Sequence, residues 1–186
     1  MGRPRSDPYL DLADDASLRA AVSARIDERS RHERATELAT WTGTLRDLAE
    51  RAVPVVVRTG HGRTHRGVLV AIGIDHLAIR LMSTALVLVA IDTVRLVRPD
   101  PGANGRAATG DRDRSQDRTL AEELALLAEQ VHIVVVGLRG IEDPVRGVVL
   151  GLGEDVLTLR GDGADGGTSY LPLGAIAELL IERSDG

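Results

Sequence analysis

The chain has 186 residues, which is enough for one domain or two small ones. It contains no cysteine, so the composition excludes disulfide bonds, thiolate zinc sites, iron–sulfur clusters and a cysteine nucleophile. All 23 basic residues are arginine, which also excludes Schiff-base and Walker-type lysine chemistry.

The charge and hydropathy patterns predict a cytoplasmic protein with one basic half and one acidic half. No stretch of the sequence is long and apolar enough to span a membrane, and acidic residues stand where a signal peptide needs an apolar segment. Residues 51–98 carry seven arginines against two acidic residues, whereas residues 131–186 carry four against nine. We therefore expect no membrane partner and expect any anion binding to belong to the basic half.

Two segments of the chain have little potential to form a sheet. Residues 1–43 are predicted to form a helical extension, because Leu18, Val22 and Ile26 recur at spacings of four. Residues 99–118 are dense in proline, glycine and alternating charge, so we predict a flexible linker there.

An internal repeat organises the remainder of the chain. Residues 66–80 match residues 146–160 at an offset of 80, with six of fifteen positions identical. Each copy is preceded by a helical pattern with a capping-box spacing, Thr44 with Asp47 in the first and Thr119 with Glu122 in the second. The repeated unit is therefore a helix followed by a β-meander.

Each copy contains five short apolar runs broken by glycine, aspartate or serine, which we interpret as strands. The predicted strands lie near residues 54–59, 66–72, 76–82, 86–91 and 94–98, and near 132–138, 146–152, 156–160, 168–171 and 175–182. Five short strands after a helix are typical of a small closed barrel, since closure removes the sheet edges. We expect a mainly β protein with two tandem helix-plus-five-stranded small barrels, over residues 44–98 and 119–186.

The first copy resembles the Sm-like proteins and, more broadly, SH3-like small barrels. The resemblance rests on Val55 and Val57, on Gly62 and Gly67 at a separation of five, and on the apolar strand that ends near Asp75. It implies a small-barrel fold and a tendency to form rings or dimers. The Arg-Gly-Asp/Asn element before the last strand is missing, so the uridine-site residues of that family are not carried over.

Asp75 and its counterpart Asp155 follow glycines and are expected to be turn residues.

The most conspicuous polar cluster is a basic hairpin loop in the first copy. Its members are Arg58, His61, Arg63, His65 and Arg66. Its glycines allow close approach of an anion, and the arginine fork suits phosphate. The alternative interpretation is a solvated basic loop that binds no ligand. No third ligand accompanies the two histidines, so we predict no metal site, and no cofactor motif or catalytic triad is present.

The run at residues 86–91 has no polar residue on either face, although an exposed strand needs apolar residues on one face only. This surface should pack against the other barrel or a second chain, and we predict a dimer or higher oligomer with Leu86, Val87, Leu88 and Val89 at its interface. Two non-catalytic functions follow as hypotheses. One is an Sm-like module that binds RNA or another polyanion through the first barrel; the alternative is an assembly protein that forms homo-oligomers or binds other proteins.

Overall fold

The computed structural model describes residues 24–25, 40–82, 85–101, 118–128, 133–162 and 166–182. The helical extension predicted over residues 1–43 and the linker predicted over residues 99–118 therefore lie almost wholly outside the described residues. Of the extension, residues 24–25 are helical.

The described chain folds into two helices and ten strands in the order that the repeat predicts. The first repeat contains α1 (Trp41–Glu50), β1 (Pro54–Thr59), β2 (Thr64–Ile72), β3 (His76–Leu81), β4 (Leu86–Ala90) and β5 (Val94–Pro99). The second contains α2 (Leu120–Ala128), β6 (Ile133–Leu138), β7 (Val145–Leu152), β8 (Val156–Gly161), β9 (Thr168–Pro172) and β10 (Ile176–Glu182). A short 3₁₀ turn precedes the last strand of each repeat, at Ile91–Thr93 and Leu173–Ala175. Among the described residues, neither helix is long and apolar enough to cross a membrane.

The first helix begins earlier than the sequence predicts. Thr40 is its N-cap, and the Thr40 hydroxyl oxygen accepts a hydrogen bond from the Gly43 amide at 3.0 Å. Thr44 lies inside the helix, where its hydroxyl donates to the Thr40 carbonyl at 2.9 Å, so the cap assigned to Thr44 was wrong. Asp47 instead forms an ion pair with Arg51 at 2.8 Å, one turn further along. The Thr-x-x-Asp spacing is equally compatible with a helix interior, because residues three or four apart share a helix face.

The second helix begins as the sequence predicts. The Thr119 amide donates to Glu122 Oε2 at 2.8 Å, and the Glu122 amide donates to the Thr119 hydroxyl oxygen at 3.2 Å. This reciprocal pair is a capping box. The bond from the Thr119 backbone amide is the main reason that the pKa of Glu122 lies below its usual value.

All ten strands belong to one antiparallel sheet, in the order β5-β1-β2-β3-β4-β10-β6-β7-β8-β9. The prediction of two separate five-stranded barrels was therefore wrong, although the mainly β content was right. The finding that overturns it is the pairing of β4 with β10, in which Leu88 lies opposite Leu179. Strand periodicity does not encode the partner of a strand, so the sequence could not show that the two repeats share one sheet.

The two hydrophobic cores lie on opposite faces of this sheet. We call the face that carries Val55 and Val57 face A, and the face that carries Val56 and Arg58 face B. Core 1 covers face A of the first repeat and comprises Leu45, Leu48, Val55, Val57, Leu69, Ile72, Leu77, Ile79, Val87, Val89 and Val94. Core 2 covers face B of the second repeat and comprises Ala78, Leu88, Leu120, Leu124, Val134, Val136, Leu138, Leu157, Leu159, Leu171, Ile176, Leu179 and Ile181. Helix α1 contributes to core 1, and helix α2 contributes to core 2.

Strand β4 lies where the cores change faces. Val87 and Val89 point into core 1, whereas Leu88 points into core 2. Both faces of the strand are thus removed from water, which explains why its sequence is apolar without interruption. Strand β10 and core 2 of the same chain cover the residues of β4 that were predicted to lie at an interface. Binding of a second chain stays a prediction.

Candidate anion-binding face

The five residues of the predicted basic loop are divided between the two faces of the sheet. Arg58 on β1 and Arg66 on β2 belong to face B and are exposed, whereas His65 belongs to face A because it lies opposite Val57. Arg63 directly precedes β2, and His61 is exposed in the hairpin loop. Side chains alternate between the two faces along a strand, so the five predicted residues do not share one face of the sheet.

On face A, two of the predicted residues bind a carboxylate of the second repeat. Glu178 Oε1 lies 3.0 Å from Arg63 Nε, and Glu178 Oε2 lies 2.7 Å from His65 Nε2. The Glu178 side chain is only 6% exposed, and it fits because the neighbouring residue on β6 is Gly137, where a Cβ would lie 2.7 Å from Glu178 Cγ. Arg63 and His65 therefore hold the two repeats together. A contact between residues 113 positions apart leaves no signal in local sequence.

A cavity of about 280 Å³ lies beside Glu178, between the two repeats. The first repeat contributes His61 and Arg63 to its wall, and the second contributes Glu142 and Glu178 together with apolar and glycine residues. These charges oppose one another, so the cavity does not form an anion site. No cluster of three or more potential metal ligands occurs in the part of the chain that the structure describes.

On face B, strand pairing adds two arginines that sequence reasoning missed. Arg98 on β5 and Arg66 on β2 lie directly opposite Val56 on its two sides, and Arg58 lies two residues further along β1. Arg80 on β3 lies opposite Val68, two residues beyond Arg66. We call Arg58, Arg66, Arg80 and Arg98 the arginine face. Alternation within β5 indicates that Arg98 is exposed, but only the register shows that it joins Arg58 and Arg66.

The arginine face is solvent-exposed and uncompensated. All four arginines are exposed, while Val56 in their midst is only 2% exposed. Within the described ranges, none of the four forms an ion pair with a carboxylate, since the described ion pairs involve other arginines. Four like charges on one exposed face attract anions from solution.

The second repeat does not reproduce this face. Gly137 and Leu180 stand at the places of Arg58 and Arg98, so two of the four charges are lost. Arg146, at the place of Arg66, is neutralised by Asp162 at 3.0 Å and by Glu182 at 2.7 Å. Arg160, at the place of Arg80, is exposed and forms no ion pair among the described residues, so it is the one charge of the four that the second repeat keeps uncompensated. The arginine face is therefore specific to the first repeat.

No family model matches the chain, and no curated protein is significantly similar to it. The Sm-like resemblance accordingly stays a prediction. The case for function rests on the geometry of this chain's own residues.

A second ion pair joins the repeats at the surface. Arg139 donates from Nη1 to Asp92 Oδ2 at 2.9 Å and from Nη2 to Asp92 Oδ1 at 2.8 Å, which is a bidentate geometry. Arg139 Nε also donates to the Gly174 carbonyl at 3.0 Å. The hydrogen bonds from Arg139 are the main cause that lowers the pKa of Asp92 below its usual value.

We expect the variant Arg139→Gln to raise the pKa of Asp92 toward the value of an unpaired carboxyl. Because the pKa is depressed in the folded protein, the pair stabilises above the ordinary carboxyl pKa and its contribution is lost as pH falls through the depressed pKa. The stability difference between wild type and variant should therefore shrink in acid. NMR titration of the Asp92 carboxyl measures the shift directly, and an unchanged Asp92 pKa in the variant would contradict the assignment.

Proposed function

We propose that this protein is a non-catalytic module that binds the phosphate backbone of RNA through the arginine face. The observation that carries the proposal is that Arg58, Arg66, Arg80 and Arg98 converge on one exposed face without a carboxylate partner in the described chain. Guanidinium groups bind phosphate oxygens in a bidentate geometry, which is why arginine is favoured for this task.

The spacing of the four side chains suits an extended polyanion. Neighbouring strands lie about 4.8 Å apart, so Arg66 and Arg98, which are two strands apart, are separated by roughly 10 Å. Four charges spread over four neighbouring strands can contact several phosphates of one extended polyanion at once, which a single small anion cannot provide. The described aromatic residues, Trp41 and Tyr170, are not members of this face, so base stacking does not contribute and we expect weak binding without sequence preference.

Three further expectations from the sequence accompany this proposal. They are the absence of catalysis, a cytoplasmic location and membership of the Sm-like group, and each stays a prediction. The revised site differs from the predicted loop, because Arg63 and His65 are bound to Glu178.

The salt dependence of RNA binding tests the proposal. Four phosphate contacts to a single strand predict a slope of about −2.8 in log K against log salt. The double variant Arg58→Gln/Arg66→Gln should reduce the magnitude of that slope by about 1.4, because two contacts are lost. Fluorescence anisotropy with a labelled oligoribonucleotide measures both, and Arg160→Gln, which removes an exposed arginine from the second repeat, is the matched control.

Three results would count against the proposal. Absence of RNA binding by the wild type at low salt would end it. Equal slopes for wild type and the double variant would place the binding site elsewhere on the protein. An equal loss in the Arg160→Gln control would show that net charge, rather than this face, governs binding.

A further inference from the structure

Apolar side chains alternate with the arginines on the arginine face. Each of the four arginines lies directly opposite an apolar residue of a neighbouring strand: Arg58 opposite Leu96, Arg66 and Arg98 opposite Val56, and Arg80 opposite Val68. We infer that Leu96 contacts the nucleoside part of a bound RNA, so that this face distinguishes RNA from a polyanion that carries charge alone, such as inorganic polyphosphate. The inference rests on the proposed function and names what the same face recognises besides phosphate.

The strand register places Leu96 beside the arginines. Directly opposite residues of antiparallel strands share a face of the sheet, and their Cβ atoms lie about 4.5–5.5 Å apart. Leu96 of β5 is therefore next to Arg58 of β1. Arg98 belongs to the same face, two residues further along β5. A phosphate bound by either arginine brings the rest of its nucleotide close to the leucine.

Leu96 is open to such a contact. It is 40% exposed, whereas Val56 is only 2% exposed and Val68 is half-buried. Strand β5 is an end strand of the described sheet, with β1 as its one neighbour there, so no described strand covers Leu96 from the other side. The described chain thus leaves a leucine in contact with water among four like charges.

The second repeat has no apolar residue at the equivalent place. Glu178 of β10 stands there, opposite Gly137 of β6, and its carboxylate is bound by Arg63 and His65. At this place, leucine occurs in the repeat that also carries the four uncompensated arginines.

RNA offers both kinds of group that this surface can bind. Its phosphates carry the charge, and the bases and ribose carbons between them offer apolar surface, whereas polyphosphate offers charge alone. Burial of apolar surface releases no counterions, so the Leu96 contact should strengthen binding by a similar factor at every salt concentration, while the arginines set the salt dependence. Leucine can touch any base, so it adds affinity without sequence preference.

Removal of the Leu96 side chain tests the inference with two polyanions. The variant Leu96→Ser should bind a labelled oligoribonucleotide about three- to eight-fold more weakly than the wild type, because 40% of the leucine is available for burial. The slope of log K against log salt should stay unchanged. The affinity for inorganic polyphosphate, measured by displacement of the labelled RNA, should equal that of the wild type. Variant and wild type are compared for one polyanion at a time, so the different charge densities of the two polymers cancel.

Two further variants separate the contact from side effects. Leu96→Met keeps an apolar side chain of similar volume and should retain the RNA affinity of the wild type. Leu150→Ser removes a leucine of β7 in the second repeat that is 50% exposed, and it should leave RNA affinity unchanged. Because Leu96 is exposed, Leu96→Ser should fold as the wild type does, which circular dichroism checks. Light scattering measures the mass of each variant.

Unchanged RNA affinity in Leu96→Ser would overturn the inference and leave the proposed function standing, because the arginines alone would then explain binding. An equal loss of affinity for RNA and polyphosphate would also overturn it, since the leucine would then act on the arginines rather than on nucleosides. A lower mass of Leu96→Ser would overturn it as well, because Leu96 would belong to a contact between chains. A wild type that binds polyphosphate but not RNA would end the proposed function itself.

Discussion

Replacement of Leu88 by alanine is expected to lower the free energy of unfolding by about 2–5 kcal/mol, and to weaken the second repeat although Leu88 belongs to the first. Leu88 is completely buried and packs in core 2 with Leu179 of β10. Truncation leaves a cavity among residues of both repeats, so the loss is shared between them. This is the largest effect that we expect from a single truncation.

Hydrogen exchange distinguishes a shared loss from a local one. Amides of β6 and β8 should exchange faster in Leu88→Ala than in the wild type, because core 2 covers both strands. The control is Val70→Ala on β2, where the side chain is 37% exposed and the expected change in stability is within about 0.5 kcal/mol. Unchanged protection of β6 and β8 in Leu88→Ala would show that the two repeats fold independently.

Replacement of Gly67 by alanine is expected to cost about 1–3 kcal/mol, because a Cβ at this position meets the backbone carbonyl oxygen of Arg80. Backbone cannot move aside as a flexible side chain can, so β2 and β3 would have to separate. The second repeat has the same contact between Gly147 and the carbonyl of Arg160. This close approach explains why both copies of the repeat carry glycine at this place.

A matched glycine on the neighbouring repeat provides the control for this variant. Gly151 on β7 has no atom within 4 Å of the position that a Cβ would take, so Gly151→Ala should leave stability unchanged or raise it slightly. Denaturant unfolding of the two variants measures the difference. A Gly67→Ala protein as stable as Gly151→Ala would contradict the close approach of β2 and β3.

The sequence by itself determined the local structure of this protein. Short apolar runs and the glycine, aspartate and serine residues between them predicted all ten strands in order, and the Thr119 capping box predicted the start of α2. The 80-residue offset predicted that each repeat has the same elements. These features depend on interactions between residues close in the chain, which is why composition and spacing suffice to find them.

The sequence determined less of the candidate site. It identified Arg58 and Arg66 as members of a basic surface, and it located the excess of arginine in the first repeat. It could not add Arg80 and Arg98, because their proximity depends on which residue of one strand lies opposite which residue of the next. The sequence also could not show that Arg63 and His65 are not members of the anion-binding face, because their partner Glu178 belongs to the last strand.

Only the tertiary structure decided how the repeats combine. The uninterrupted apolar sequence of β4 indicates that both faces of the strand are buried. It does not indicate which elements of the protein cover them. The pairing with β10 answers that question, since Val87 and Val89 face core 1 while Leu88 faces core 2. The backbone of an edge strand can form hydrogen bonds with any strand of suitable register. The side chains that pack on both faces after pairing decide which strand binds. For this reason the sequence predicted two separate barrels, whereas the chain folds as one ten-stranded sheet with a core on each face.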